Sequence, residues 1–321
     1  MSKILFTLAE EPENTTPNHF AVRFRVDEND CFDFADGLKT LGHDVYFVNW
    51  ADLNGDAFSR MFHHNNSQFV EPVDLAEFDL AFVYKMEGFY FDKPRFFAMV
   101  DTFARHCKQV VNTPTTIKHN IDKHYFFDLE KLGVEIIPTF KIDDKVESEL
   151  KNGKKFVIKP RYGERGNGIF VASEEAHLTP IKDEKDLYLA QTFMPEIRDG
   201  ERSAVFLGHQ FEHAVLKKPA ADKPDEFRCN ESLGGTVEIY QPTEIELAFC
   251  ERVLPAYEQL ECPVHFSRID FISTASGPLL LEAEMLNPSI YANYSKRGAE
   301  FGRNIANYFD GLIARKLSPA N

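Results

Sequence analysis

The sequence predicts an α/β lobe with a parallel sheet up to about residue 115, followed by an α+β region in which antiparallel strands dominate. Before residue 115, apolar runs of strand length alternate with amphipathic stretches of helix length, the pattern of parallel strands joined by crossover helices. After it, short strand-like runs follow one another closely and only two longer helical stretches interrupt them. No internal repeat or low-complexity segment is visible.

Residues 2–8 read as the first strand. Residues 10–30 are polar, with turn chemistry at Asn14 to Asn18, and are expected to form a loop. A helix near 32–41 takes its apolar positions from Phe32, Phe34, Leu38 and Leu41 and stops at Gly42. Val45 to Val48 and Leu80 to Tyr84 are further strands, followed by a helix near 93–106 and a short strand at Val110 to Asn112. An amphipathic helix over 121–132 is expected to end at Gly133. The later strands are placed at 156–160, 168–173, 187–193, 203–207, 211–217, 267–272 and 279–285, with helices near 243–259 and 296–316. The 30 phenylalanines, many in the first half, are read as core and lobe-interface packing.

Composition narrows the function. The chain has 321 residues and a formal charge of −15, which argues against a general nucleic-acid binder but leaves room for a local basic cleft. No apolar run approaches the ~18 residues of a membrane span. Met1 to Phe6 does not resemble a secretion signal, so a cytoplasmic location is expected. The five cysteines are scattered and odd in number, which argues against a disulfide framework or a zinc site.

The most informative stretch lies in the last third. Ser267 to Phe271 and Leu281 to Pro288 each read as a strand, with a Ser276-Gly277 turn between them. Side chains alternate along a strand, so Glu282 and Glu284 point the same way, and Asp270 can meet them from the neighbouring strand. Three carboxylates on one face repel one another unless a cation sits between them. All-oxygen ligation selects a hard ion, Mg²⁺ or Mn²⁺, and such a site leaves positions open for phosphate oxygens. Nucleotide handling is therefore expected.

Other segments point the same way. The strand Phe156 to Pro160 runs into a loop containing Gly163, Gly166 and Gly168, whose backbone N–H groups can approach phosphate, while Lys159 aims an ammonium there. Alone, such a loop is an ordinary surface hairpin. It is also no Rossmann or P-loop motif, because its glycines link two strands rather than open a helix. The apolar strand Leu187 to Phe193, ending before Pro195, offers a slot and a backbone edge for a purine, or is simply a core strand. Arg228, in a polar loop before Gly234 and Gly235, is either a charge stabiliser for a phosphoryl group or a surface arginine. Cys229 lacks any arguable histidine partner, so a nucleophile's role is not assigned to it.

The order of these parts resembles the ATP-grasp superfamily, and within it the bacterial glutathione synthetases, over nearly the whole chain. The resemblance implies an ATP-grasp fold of three lobes: an N-terminal lobe over 1–115, an ATP-binding lobe over 116–194, and a C-terminal lobe with the metal site over 195–321. It matches Asn112-Thr113-Pro114 and Lys123 to the opening of the ATP lobe, Lys159 to the second ATP-binding lysine, and Gly163 to Gly168 to the mobile phosphate loop. Gln191, Thr192 and Phe193 match the adenine hinge, and Asp199 to Arg202 the polar turn after it. Arg228 and Asn230 match a loop that contacts phosphate and substrate, with Gly234, Gly235 and Asn287 on the substrate side. Asp270, Glu282 and Glu284 fall on the metal-ligand positions, and Arg268 joins the catalytic set.

The match has departures. Glu282-x-Glu284 replaces the usual Glu-x-Asn, and Arg268-Ile269-Asp270 is more similar to the D-alanine–D-alanine ligases. The stretches Glu201 to Val205, His213 to Pro219 and Phe227-Arg228 are similar to the ligase that closes the cycloserine ring, and Tyr84 to Glu87 replaces a more basic segment. The resemblance implies an ADP-forming ligase that uses ATP with Mg²⁺ or Mn²⁺. It joins a carboxylate and an amine on small amino-acid or peptide substrates through an acyl phosphate, with a homo-oligomer as a possible assembly. A cyclo-ligase or kinase acting on a small amino-acid derivative, and a non-catalytic nucleotide-binding relative, stay open as alternatives.

Overall fold

The computed structural model describes residues 1–8, 29–86, 88–164, 166–223, 225–286, 288–294 and 299–317. The predicted loop at 10–30 falls almost wholly outside these residues.

The first lobe holds β1 (Lys3–Leu8), helix α1 (Asn29–Thr40), β2 (Asp44–Asn49), a small hairpin of β3 (Leu53–Asn54) and β4 (Ala57–Phe58), then β5 (Met61–His63), β6 (Gln68–Val70), β7 (Leu80–Phe82), α2 (Lys93–His106) and β8 (Val110–Val111). Its six-stranded sheet has the order β6-β5-β2-β1-β7-β8. The four strands β2, β1, β7 and β8 are parallel as expected, but β5 and β6 extend the edge antiparallel. Both faces are covered, and the strands show it. Ile4, Phe6, Val45 and Phe47 pack on one side, and Leu5, Tyr46 and Val48 on the other.

The second part opens with α3 (Pro114–Asn120) and α4 (Tyr125–Lys131). The sequence predicts one helix over 121–132; the structure instead breaks the chain at 121–124. Asp122 accepts the His124 N–H at 3.0 Å, and the Lys123 N–H turns away to the Arg161 carbonyl at 3.0 Å. A short polar side chain thus competes with the helical ladder. There follow β9 (Thr139–Lys141), α5 (Asp144–Lys151), β10 (Phe156–Pro160), β11 (Phe170–Ala172) and β12 (Tyr188–Thr192), forming a four-stranded sheet β11-β10-β12-β9 whose pairs are antiparallel.

The third part is a five-stranded antiparallel sheet, β15-β14-β13-β16-β17. It is built from β13 (Glu201–Leu207), β14 (Gln210–Lys218), β15 (Thr236–Tyr240), β16 (Phe266–Thr274) and β17 (Gly277–Glu284), with α6 (Glu244–Gln259) on one face. The final helix, α7 (Ala299–Leu317), does not stay with this sheet. Its Phe301, Ile305 and Phe309 stripe joins the core of the first lobe, where Phe301 meets Phe34 edge-on at 5.9 Å.

Two buried asparagines bolt the parts together. Asn112 donates to the carbonyls of Phe266 (2.7 Å) and Met285 (2.5 Å) and accepts from the N–H groups of His265 and Phe266. Asn120 donates to the Ala283 carbonyl at 2.7 Å and accepts from the Met285 N–H at 2.9 Å. Both fix the end of β17, the strand that carries Glu282 and Glu284. Among the described residues no helix is long and apolar enough to cross a membrane.

Candidate active site

One cavity lies between the four- and five-stranded sheets and reaches the first lobe at Lys85. Strand alternation explains its lining. Along β16, Phe266, Arg268, Asp270 and Ile272 share a face. Phe266 packs into the first lobe, Arg268 and Asp270 line the cavity, and Ile272 closes an apolar end with Ile137 and Ile197. Lys159 and Val157 supply the facing wall from β10, while Phe156 and Ile158 pack behind it.

The register confirms the expected carboxylate face. Asp270 pairs with Glu282 across β16 and β17, and Arg268 pairs with Glu284. The structure corrects the ground on which a metal was inferred, because protein cations already answer the repulsion. Arg268 grips Asp270 through two bonds of 2.8 Å and reaches Glu284 at 2.5 Å. Lys123 stands 3.1 Å from Glu282. Asp270 also accepts from Ser203 at 2.6 Å and has Lys217 at 3.7 Å, and Lys217 is in turn paired with Glu201. Among the described residues, no group of three or more His, Cys, Asp or Glu side chains is arranged to hold a metal ion.

These partners set the charges. Burial opposes ionisation of Asp270, but Arg268 and Lys217 hold its carboxyl well below the usual range. Lys123 and Lys159 likewise outweigh burial at Glu282 and hold it down. Burial pushes Glu284 up to about 7; Arg268, which it shares with Asp270, only partly offsets this. Lys159 is different. It is 7 % exposed, its hydrogen bond is to the Leu281 carbonyl at 3.4 Å, and no carboxylate among the described residues pairs with it. Burial pushes its ammonium down to about 8.

The remaining predicted residues divide. Gly163 and Gly166 line the cavity, whereas Gly168 is not among its lining residues. Gly168 has φ +71°, and a Cβ there would come within 2.9 Å of Pro160, so the turn requires glycine. Lys123 is also absent from the lining: it donates to the Gly163 carbonyl at 3.0 Å and so ties the glycine loop to Glu282. Gln191, Thr192 and Phe193 line the apolar end. The sequence reading gives this segment an exposed backbone edge, but the Thr192 and Phe193 N–H groups already donate to Pro138 and Lys155 carbonyls, at 2.8 and 3.0 Å, because the strand is interior to its sheet. The Thr192 hydroxyl, in contrast, is buried without a hydrogen-bond partner.

Arg228 and Asn230 line the rim. Arg228 forms a two-point pair with Glu226 (2.9 and 2.8 Å), and its hydrogen bonding holds the Glu226 carboxyl down at about 2. Gly234 and Gly235 do not line the cavity. A Cβ on Gly235 would lie 2.7 Å from the Cys229 carbonyl oxygen, so that glycine serves the close return of its own loop. Asn287 lies outside the described residues. Cys229 is buried and its thiol is pushed up to about 12 by burial, which suits an inert side chain.

The sequence reading did not single out Lys85, Glu201, Lys217 or Tyr291, all of which line the cavity. Lys217 had a usable signal: a lysine on the inward phase of an otherwise apolar strand. Lys85 and Tyr291 had none, since their left-handed backbone (φ 53° and 54°) is visible only in three dimensions.

Comparison with known proteins bears on the family and the fold. The family model described as prokaryotic glutathione synthetase, ATP-grasp domain, matches residues 130–290. The glutathione synthetase of Bradyrhizobium diazoefficiens is 26 % identical over 156 residues, 47 % of this chain and 48 % of that protein, so the match spans about half of that relative. The cycloserine biosynthesis protein DcsG of Streptomyces lavendulae is 23 % identical over 257 residues, 71 % of this chain and 82 % of that protein. Among solved structures, D-cycloserine synthetase DcsG superposes with a TM-score of 0.74 at 18 % identity, covering 97 % of this chain and 99 % of that one. The D-alanine–D-alanine ligase of Bacillus anthracis complexed with ATP gives 0.62 at 12 % identity, covering 99 % and 98 %. At these identities the superpositions establish the ATP-grasp fold.

Proposed function

The chain belongs to the family of the prokaryotic glutathione synthetase ATP-grasp domain, and from that premise we propose that it is an ADP-forming carboxylate–amine ligase acting on a small amino-acid or peptide substrate. The observation that carries this is the layout of one cavity. An apolar slot with an orphaned Thr192 hydroxyl suits a purine, the buried Lys159, with no carboxylate in contact among the described residues, suits phosphate, and a carboxylate face lies beside it.

In this reading Lys159 holds phosphate oxygens, and Arg228 at the rim adds a second cation towards the transferred group. Arg268 is fixed by Asp270 and by the Ser289 carbonyl at 3.0 Å, so its charge is oriented before substrate arrives. Asp270, Glu282 and Glu284 supply the oxygen donors a hard divalent ion takes, but a metal would have to displace Lys123 from Glu282 and Arg268 from Glu284, the two more open carboxylates at 33 % and 22 % side-chain exposure. A Mg²⁺ or Mn²⁺ ion held there would neutralise phosphate oxygens as charge develops on them. The substrate carboxylate takes the γ-phosphoryl group, and an amine then displaces phosphate.

The test is isotopic. A substrate carboxylate labelled with ¹⁸O is expected to deliver one label into released phosphate, alongside ADP. A kinase would leave the phosphoryl group on its product, and formation of AMP and pyrophosphate would defeat both readings. The broad coverage of the cycloserine biosynthesis protein favours ring closure as a second reading. A cyclo-ligase releases ADP with one substrate, whereas an intermolecular ligase requires a separate amine.

A further inference from the structure

The glycine loop that lines the phosphate side of the cavity is fastened to the first lobe by its own side chains. Glu164 accepts the Gly88 N–H at 2.9 Å. Asn167 donates to the Tyr90 hydroxyl at 3.4 Å, and the Lys93 ammonium lies over the Tyr162 ring at 3.8 Å. All three partners belong to one segment, residues 88–93, which enters α2 of the first lobe. The base of the loop is held separately, by Asp122 on Arg161 and Tyr162 and by Lys123 on Gly163. Tyr162 is thus held from both sides, by Asp122 and by Lys93, while Glu164 and Asn167 reach the first lobe.

We propose that Glu164 is a positioning residue: it ties the glycine loop to the first lobe, so that the loop is held over nucleotide only while that lobe is docked. The role in nucleotide binding rests on the reading of the cavity as an ATP site. A carboxylate accepting a main-chain N–H is a charge-assisted bond, stronger than the long contact of 3.5 Å by which Arg228 also meets the Gly166 carbonyl. The consequence is that the acceptor side of the cavity and the phosphate cover are organised together.

The experiment compares wild type with Glu164→Ala and Glu164→Gln, reading amide exchange at Gly88 in nucleotide-free protein and ATP affinity by calorimetry in the presence of Mg²⁺. Glu164→Ala is expected to speed exchange at Gly88 and weaken ATP binding about tenfold, the low end for a charge-assisted bond. Glu164→Gln keeps an acceptor oxygen and is expected to restore most of both. Unchanged Gly88 exchange in Glu164→Ala, or equal losses of affinity in the two variants, overturns the proposal. Should Glu164→Ala fail to fold, Asn167→Ala with Tyr90→Phe removes the neighbouring tie and is expected to move both readouts the same way by less; no movement overturns it. A wild-type protein that takes up no ATP defeats the ligase reading instead, while Gly88 exchange still decides the tie.

Discussion

On the wall built from β13 to β17, the charges are answered within the protein: Arg268 by Asp270 and Glu284, Lys217 by Glu201, and Glu282 by Lys123. On the facing wall, Lys159 is buried with only a carbonyl at 3.4 Å. The first wall is largely paired within itself, Glu284 being the member whose burial Arg268 offsets only in part. The second carries a charge whose desolvation the nearby carboxylates, Glu282 foremost, offset only in part. One wall is thus paired within itself, and the other holds a buried ammonium with no carboxylate in contact among the described residues, the group to which the proposed function assigns the phosphate chain.

The sharpest way to break this contrast is to remove the scaffold's central cation. Arg268→Met leaves Asp270 and Glu284 buried together, so folding stability is expected to fall by about 3–5 kcal/mol in urea denaturation; a loss below ~1 kcal/mol would show that the face does not depend on it. Glu282→Gln is expected to lower Mg²⁺-dependent turnover about a hundredfold or more while the chain stays folded. Unchanged turnover would remove Glu282 from the metal set. Lys159→Met is expected to weaken ATP binding by roughly 1.5–3 kcal/mol. Equal affinity in a calorimetric titration would take Lys159 out of the site.

The pH dependence of the same lysine sharpens the point. Its folded-state value of about 8 lies below the ~10.4 of a free lysine. Between the two, the unfolded chain holds the proton and the folded chain does not, so this group makes stability rise with pH across that window, and its penalty is complete below it. ATP affinity runs the other way, falling as pH climbs past 8, because phosphate favours the protonated form. Both contributions should appear as the difference between wild type and Lys159→Met, measured side by side across roughly pH 7–10. The smallest effect is expected at the rim: Glu226→Gln breaks a partly exposed pair with Arg228 and should cost under ~1 kcal/mol in thermal unfolding.

What was legible in the sequence follows from the range of the interactions involved. Period-two alternation placed Glu282 and Glu284 on one face opposite Asp270, and the register agrees, because one tight turn joins β16 to β17. The same local rules found Lys159 and the glycine loop. The pairing of Lys217 with Glu201 escaped, as did the antiparallel edge of β5 and β6, whose three-residue strands are too short for a periodic signal. Helix α5 was missed despite a readable start: Asp143 caps it by accepting the Lys145 and Val146 N–H groups. The break at 121–124 was half legible: the Asp122 side chain that accepts the His124 N–H is local, but the carbonyl that captures the Lys123 N–H belongs to Arg161.

The asparagine bolts bear on how separable this machine is. Asn112 sits at the end of the first lobe, yet it and Asn120 fix the backbone of residues 283, 285 and 266, next to the carboxylates at 282 and 284 and to Arg268. The geometry of the reacting end is therefore inherited from a segment outside the sheet that displays it. A fragment beginning after residue 115 would retain the three carboxylates, both flanking strands and Asn120, but lose Asn112 and with it the bonds that fix residues 265, 266 and 285. For grafting or shuffling, the portable unit is not the nucleotide-binding half but that half together with the edge of the lobe before it.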